Sequence, residues 1–136
     1  MQLEYSIEGG DFSHAGFASS QVKRVLKQLN VDPKLIKRVV VCLYEAEVNV
    51  VAHAYSGIIH VLINTNEIVM KLADKGPGIP DISLAMQKGY STASDKVREM
   101  GFGAGMGLPN IQHNADDFKI SSNVGEGTNL EITIKL

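Results

Sequence analysis

Glu45, Asn49 and His53 recur at i, i+4 and i+8 within a stretch otherwise built from Val39, Val40, Leu43, Val48, Val50 and Val51. On a helix these three side chains form a single polar stripe along an apolar rod. Burying an unpaired carboxylate and an amide is costly. The stripe therefore faces either water, with Glu47 and Lys37 among its solvated neighbours, or a polar ligand. A carboxylate one turn from an amide can take a proton from a hydroxyl while the amide coordinates or orients a neighbouring group.

A second group is Asp74-Lys75-Gly76-Pro77-Gly78-Ile79-Pro80, which follows a β-rich run. An aspartate at a strand end followed by Gly-x-Gly lets backbone approach a flat ligand closely while the carboxylate accepts a hydrogen bond from an exocyclic amine. That arrangement suits adenine, although taken singly it is also what a turn between strand and helix looks like. A third group, Gly101-Phe102-Gly103-Ala104-Gly105-Met106-Gly107-Leu108-Pro109, runs into a helical pattern. Glycines ahead of a helix start expose unpaired amides beside the positive end of the dipole, which is how phosphate is held. No Gly-Lys-Ser/Thr follows, so this is not a Walker A loop, and it does not follow the first strand as a dinucleotide fingerprint would.

The elements that must position these groups are legible from periodicity. Leu3, Tyr5 and Ile7 alternate with polar residues as in a half-buried strand over 2–8. Ser13 is placed to cap a helix whose apolar positions are Phe17, Ala18, Val22, Val25, Leu26 and Leu29. Asp32-Pro33 supplies an N-cap and a first-turn proline for the longest helix, which runs to about Ala54 and is ended by Gly57. Runs at 58–64 and 68–73 flank Asn64-Thr65-Asn66-Glu67 and read as an antiparallel hairpin. A short helix is predicted over 82–88, a long loop over 89–105, a helix from Leu108-Pro109 to about Ala115, and strands over 118–123 and 129–136. The chain holds 13 glycines, and nine of them fall after residue 75, so its second half is the part that bends around something.

Taken in this order, the three groups resemble the nucleotide-binding boxes of the GHKL superfamily, named for gyrase, the heat-shock chaperones, histidine kinases and MutL. Glu45-x-x-x-Asn49 looks like its N box, Asp74-x-Gly76-x-Gly78 its first glycine box, Gly103 to Gly107 its second, and Gly127-Thr128 its terminal Gly-Thr. The likeness covers nearly the whole chain. The runs Glu45-Ala46-x-x-Asn49-x-x-x-His53, Gly78-Ile79-Pro80-Asp81-Ile82 and Gly89-Tyr90-Ser91-Thr92 are most similar to bacterial anti-sigma serine kinases and the stressosome switch kinase.

That resemblance implies an α/β two-layer sandwich over residues 1–136, with a mixed, mostly antiparallel sheet covered on one face by helices and an ATP lid at about 89–105. It implies ATP and Mg²⁺ as cofactors, with Asn49 as metal ligand and Glu45 as general base toward a serine or threonine hydroxyl of an antagonist protein. Asp74 would receive the adenine amine, with Gly76, Gly78, Ile79 and Thr128 around the base. Gly103, Ala104, Gly105, Met106, Gly107 and Leu108 would follow the phosphates. His53 either hydrogen-bonds near the phosphates or packs at the helix end. Anti-sigma kinases generally carry an arginine where this chain has Gly103, and Lys96 and Arg98 are the lid cations that could stand in for it. Two functions follow from the likeness: a serine/threonine protein kinase, or an ATP-binding module that sequesters a sigma factor or similar regulator without transferring phosphate.

Bulk properties exclude other classes. With 13 lysines and arginines against 15 acids the net charge is −2, which offers no surplus for nucleic acid. The longest apolar run, Val39 to Tyr44, is six residues, against about 20 for a membrane span. The first residues carry no apolar segment flanked by basic ones, and the single cysteine, Cys42, sits in an apolar helical stretch as a small hydrophobe. A cytoplasmic protein is expected, with a homodimer among the assemblies open to it.

Overall fold

The computed structural model describes residues 1–87 and 107–136. The expected lid, with Gly103, Ala104, Gly105, Met106, Lys96 and Arg98, lies outside the described residues. Strand β1 (Gln2–Glu8) leads through a 3₁₀ turn (Phe12–His14) into helices α1 (Phe17–Gln28) and α2 (Pro33–His53). A hairpin of β2 (Ser56–Ile63) and β3 (Glu67–Lys75), the short α3 (Ile82–Ala85), α4 (Gly107–Asn114), β4 (Asp117–Asn123) and β5 (Gly127–Lys135) complete the order.

The five strands form one sheet in the order β1-β2-β3-β5-β4. All four ladders are antiparallel, so the parallel pairing that a mixed sheet would contain does not occur among the described strands. Alternation decides which face is buried: Ile59, Val61 and Ile63 turn inward while Ile58 and His60 are exposed. Helices cover that inner face. Val22 and Leu26 of α1, Val39, Leu43 and Val50 of α2, and Ile111 of α4 pack onto Met70, Leu72, Ile132 and Ile134 of the sheet.

Local chemistry sets the joints. Asn64 Oδ1 accepts from the amides of Asn66 (2.8 Å) and Glu67 (2.9 Å), closing the hairpin by an Asx turn. Asn30, at φ 57°, ends α1 in a Schellman motif in which the Val31 amide reaches the Leu26 carbonyl (3.1 Å) and the Asn30 amide that of Lys27 (3.1 Å). Asp32 caps α2 through the Lys34 amide at 2.9 Å.

Several sequence expectations are corrected. Ser13 does not cap α1, because its hydroxyl donates instead to Asp11 Oδ1 at 2.9 Å. Phe17 and Leu29 are exposed, since they stand at the two ends of α1, where its apolar stripe has rotated off the core. Gly57 does not end α2, which stops at His53. It lies within β2, where a side chain would crowd Val50. The helix expected over 82–88 ends at Ala85.

Candidate functional site

Along α2, Glu45 and Asn49 occupy successive turns of one face and both are partly exposed, in contrast to the buried Leu43, Ala46 and Val50 beside them. The start of α4 meets them there. A Cβ on Gly107 would stand 3.3 Å from both Asn49 Oδ1 and Glu45 Oε2. The carboxylate and the amide thus converge on one backbone position, and the absence of a side chain there leaves them room. Asn110, one turn further along α4, donates from Nδ2 to Glu45 Oε1 at 3.3 Å and orients the carboxylate. Arg38 ties the other end of α4 to α2, through Nε to the Asn114 carbonyl (2.9 Å) and an ion pair with Asp116 (3.1 Å).

Leu108 is buried in the core, so what it can present to a ligand is its backbone amide. His53, the last residue of α2, is half-buried, and that burial lowers its pKa and favours the neutral ring.

Asp74 lies near the end of β3, with one carboxylate oxygen, Oδ1, accepting from the Thr128 amide at 3.0 Å. Among the described residues the other oxygen, Oδ2, has no hydrogen-bond partner. Burial raises the Asp74 pKa, and the Thr128 amide opposes that shift in part. Gly127 crosses so close that any Cβ would strike the Asp74 carbonyl oxygen, which is why the terminal Gly-Thr pair has to begin with glycine. Gly78 is in the left-handed region (φ 75°), and a side chain there would run into the Asn123 carbonyl.

The loop after β3 is clamped to the β4–β5 turn at three points. The Gly76 amide donates to the Glu126 carbonyl (3.3 Å), the Gly125 amide to that of Pro77 (2.8 Å), and the Ile79 amide to Ser122 Oγ (2.7 Å). Ser122 Oγ also donates to the Gly127 carbonyl (3.0 Å) and lies 2.9 Å from Thr128 Oγ1. Ser122 and Asn110 carry no signature in the sequence, because each acts through partners on a different element.

The structure brings Glu45, Asn49 and Gly107 together in one group, and Asp74, Gly76, Gly78, Ile79 and Thr128 in another. It does not put Glu47 on a solvated face. Glu47 is 2% exposed, and its carboxylate accepts from the amides of Gly16 (3.1 Å), Ala18 (3.2 Å) and Ser19 (2.7 Å). It fills the role expected of Ser13, capping α1 from a neighbouring helix. Burial nonetheless raises its pKa against the pull of these three amides.

Comparison with known proteins identifies the family and the fold. Residues 11–134 match the histidine kinase-like ATPase domain, and the chain belongs to that family. The anti-sigma F factor of Thermoanaerobacter sp. (strain X514) is 30% identical over 122 residues, which is 86% of this chain and 82% of that protein. The serine/threonine-protein kinase RsbT of Bacillus subtilis is 41% identical over 58 residues, 43% of this chain and 38% of the kinase. In fold, the chain is similar to one from the SiaB–SiaC complex of Pseudomonas aeruginosa, with TM-score 0.67, 13% identity and 97% and 89% of the two chains covered. The mycobacterial sensor histidine kinase MprB has the same fold, with TM-score 0.56, 14% identity and coverage of 98% and 97%. None of the described helices is long and apolar enough to cross a membrane.

Proposed function

We propose that this protein binds ATP with Mg²⁺ and phosphorylates a serine or threonine on a small antagonist protein in a partner-switching module, within one ATP-binding domain over 1–136. The observation that carries the reading is the convergence of Glu45 and Asn49 on Gly107, a backbone position that a Cβ would crowd. Its support from relatives is that a protein named anti-sigma F factor is 30% identical over 86% of this chain, and one named serine/threonine-protein kinase is 41% identical over 43% of it.

ATP with Mg²⁺ would supply the transferable phosphoryl group and neutralise its charge. Asn49 would hold the metal, and the amides from Gly103 to Leu108, with Ala104, Gly105, Met106 and Gly107 between, would hold the phosphates. Asp74 Oδ2, without a hydrogen-bond partner among the described residues, would accept from the adenine amine, and Gly76, Gly78, Ile79 and Thr128 would frame the base. His53 belongs to the same end of α2. Glu45, held by Asn110, would take the proton from the attacking hydroxyl, and ADP would carry away the electron pair of the phosphoanhydride bond that breaks as the new ester forms.

A second reading is favoured by Gly103, which stands where anti-sigma kinases generally have an arginine: the chain would then bind ATP and sequester a sigma factor or similar regulator without transfer. Incubation with labelled ATP and candidate antagonist proteins separates the two. Under the kinase reading Glu45→Gln keeps nucleotide binding nearly intact and slows transfer by roughly 10²–10⁴, while Asn49→Ala weakens the Mg²⁺-nucleotide complex itself. Transfer by Glu45→Gln at the parent rate, or none by the parent to any partner, overturns the kinase reading.

A further inference from the structure

Between the carboxy-terminal half of α1 and the amino-terminal half of α2 lies a groove of about 600 Å³. Its position follows from the Schellman turn at Asn30, which folds the two helices back on each other. Val31, Val40 and Val41 are half-buried along its floor, with Ile36 beneath them. Lys23, Lys27 and Lys37 stand exposed on its rim, and among the described residues no acidic one lines it. The charge is local: of the six lysines and arginines between residues 23 and 38, Lys23, Lys27 and Lys37 line the groove, Arg38 is paired with Asp116, and the one acid in that span, Asp32, caps α2. A chain of net charge −2 thus concentrates cations around one apolar depression.

We propose that this groove docks an acidic amphipathic helix of the protein partner. The inference rests on the partner-switching reading above and names the surface that reading leaves open. A floor of three valines between lysine rims accepts apolar side chains at i, i+3/i+4 and i+7 while the flanking carboxylates meet the lysines. Nucleic acid fits poorly, because among the described residues no aromatic side chain lines the groove for a base to stack on. A bilayer fits poorly too, since the apolar surface is recessed between helices rather than projecting from one.

The groove is also aligned with the site. Lys37, Val41, Glu45 and Asn49 follow at i, i+4, i+8 and i+12 along α2. Glu45 therefore lies about 12 Å further along the helix from Lys37, at about 1.5 Å of rise per residue. A helix seated in the groove places the adjoining residues of its own chain in front of that carboxylate.

The probe is a synthetic 16-residue peptide with leucines at i, i+3, i+4 and i+7 and glutamates on both flanks, titrated by fluorescence anisotropy and by amide chemical shifts. The expected result is saturable binding that weakens with salt, with shifts concentrated between Lys23 and Val41. The triple variant Lys23→Glu, Lys27→Glu, Lys37→Glu should lose at least about tenfold in peptide affinity while a fluorescent ATP analogue binds as to the parent. A triple Lys→Ala variant should lose less, and it guards against a folding defect in the first. Shifts located elsewhere, equal binding of a peptide whose leucines are replaced by serine, or equal binding by the triple variants overturns the proposal. A parent that sediments as a dimer and a triple variant that sediments as a monomer would assign the groove to a second copy and overturn it as well. The titration involves no phosphoryl transfer, so failure of the kinase reading and failure of the docking groove are read separately.

Discussion

Truncating Glu47 tests whether one buried carboxylate on α2 holds the start of α1. The wild-type side chain accepts three amide hydrogens and is 2% exposed. Glu47→Ala removes three bonds to a charged acceptor, each worth roughly 1.5–3 kcal/mol, and strands donors that α1 cannot satisfy by itself. Release of the carboxylate from a buried site returns several kcal/mol of desolvation, so the gross loss is not the net one. Loss of an N-cap costs about 0.5–2 kcal/mol by itself. With the stranded buried donors added, the expected net loss is about 3 kcal/mol, or a fall of roughly 10 °C in Tm for a domain of this size. Glu47→Gln keeps one acceptor but turns an amide NH₂ toward donors, so about 2 kcal/mol is expected.

The pH dependence has a definite sign. Because burial raises the folded-state pKa of Glu47 above its unfolded value, the native chain binds the proton more tightly. That contribution to stability is full below the unfolded value and is lost as pH rises through the folded one. The gap between parent and Glu47→Gln therefore narrows as pH rises across that window. Urea melts give the stability, and hydrogen exchange at Gly16, Ala18 and Ser19 gives the location. A Glu47→Ala protein within about 0.5 kcal/mol of the parent, or with unchanged protection at those three amides, would refute the reasoning.

Asp74, whose pKa is raised by burial, should lose nucleotide affinity as pH falls at a higher pH than an ordinary carboxylate would, and Asp74→Asn should weaken binding by about 1.5–3 kcal/mol and abolish that pH dependence in calorimetry. Cys42 is fully buried, and its thiol is pushed up to about 12, chiefly by desolvation. It should therefore resist a thiol-reactive dye at pH 8 in the native protein and react once urea unfolds the chain. Gly78→Ala combines a left-handed backbone with a clash against the Asn123 carbonyl, so it should displace the loop from the β4–β5 turn, costing about 1–3 kcal/mol in thermal unfolding and more in nucleotide affinity.

By itself the sequence determined what depends on near neighbours. The i, i+4 spacing of Glu45 and Asn49 on an amphipathic helix, the Asp32-Pro33 start of that helix, the hairpin at Asn64 and the glycines after Asp74 are signals completed within a few residues, so periodicity and turn chemistry reveal them. Tertiary structure decided everything whose partner is remote. The Glu47 carboxylate meets amides 28 to 31 positions away, Asn110 reaches Glu45 across 65, the Ile79 amide finds Ser122 across 43, and Thr128 meets Asp74 across 54. The insertion of β5 between β3 and β4 makes the last of these contacts, because it lays Gly127 and Thr128 beside Asp74. A buried glutamate and a solvated one look alike in a one-dimensional pattern, since both interrupt an apolar run. Only the placement of α1 across α2 supplies the three donors that make burial of Glu47 tolerable.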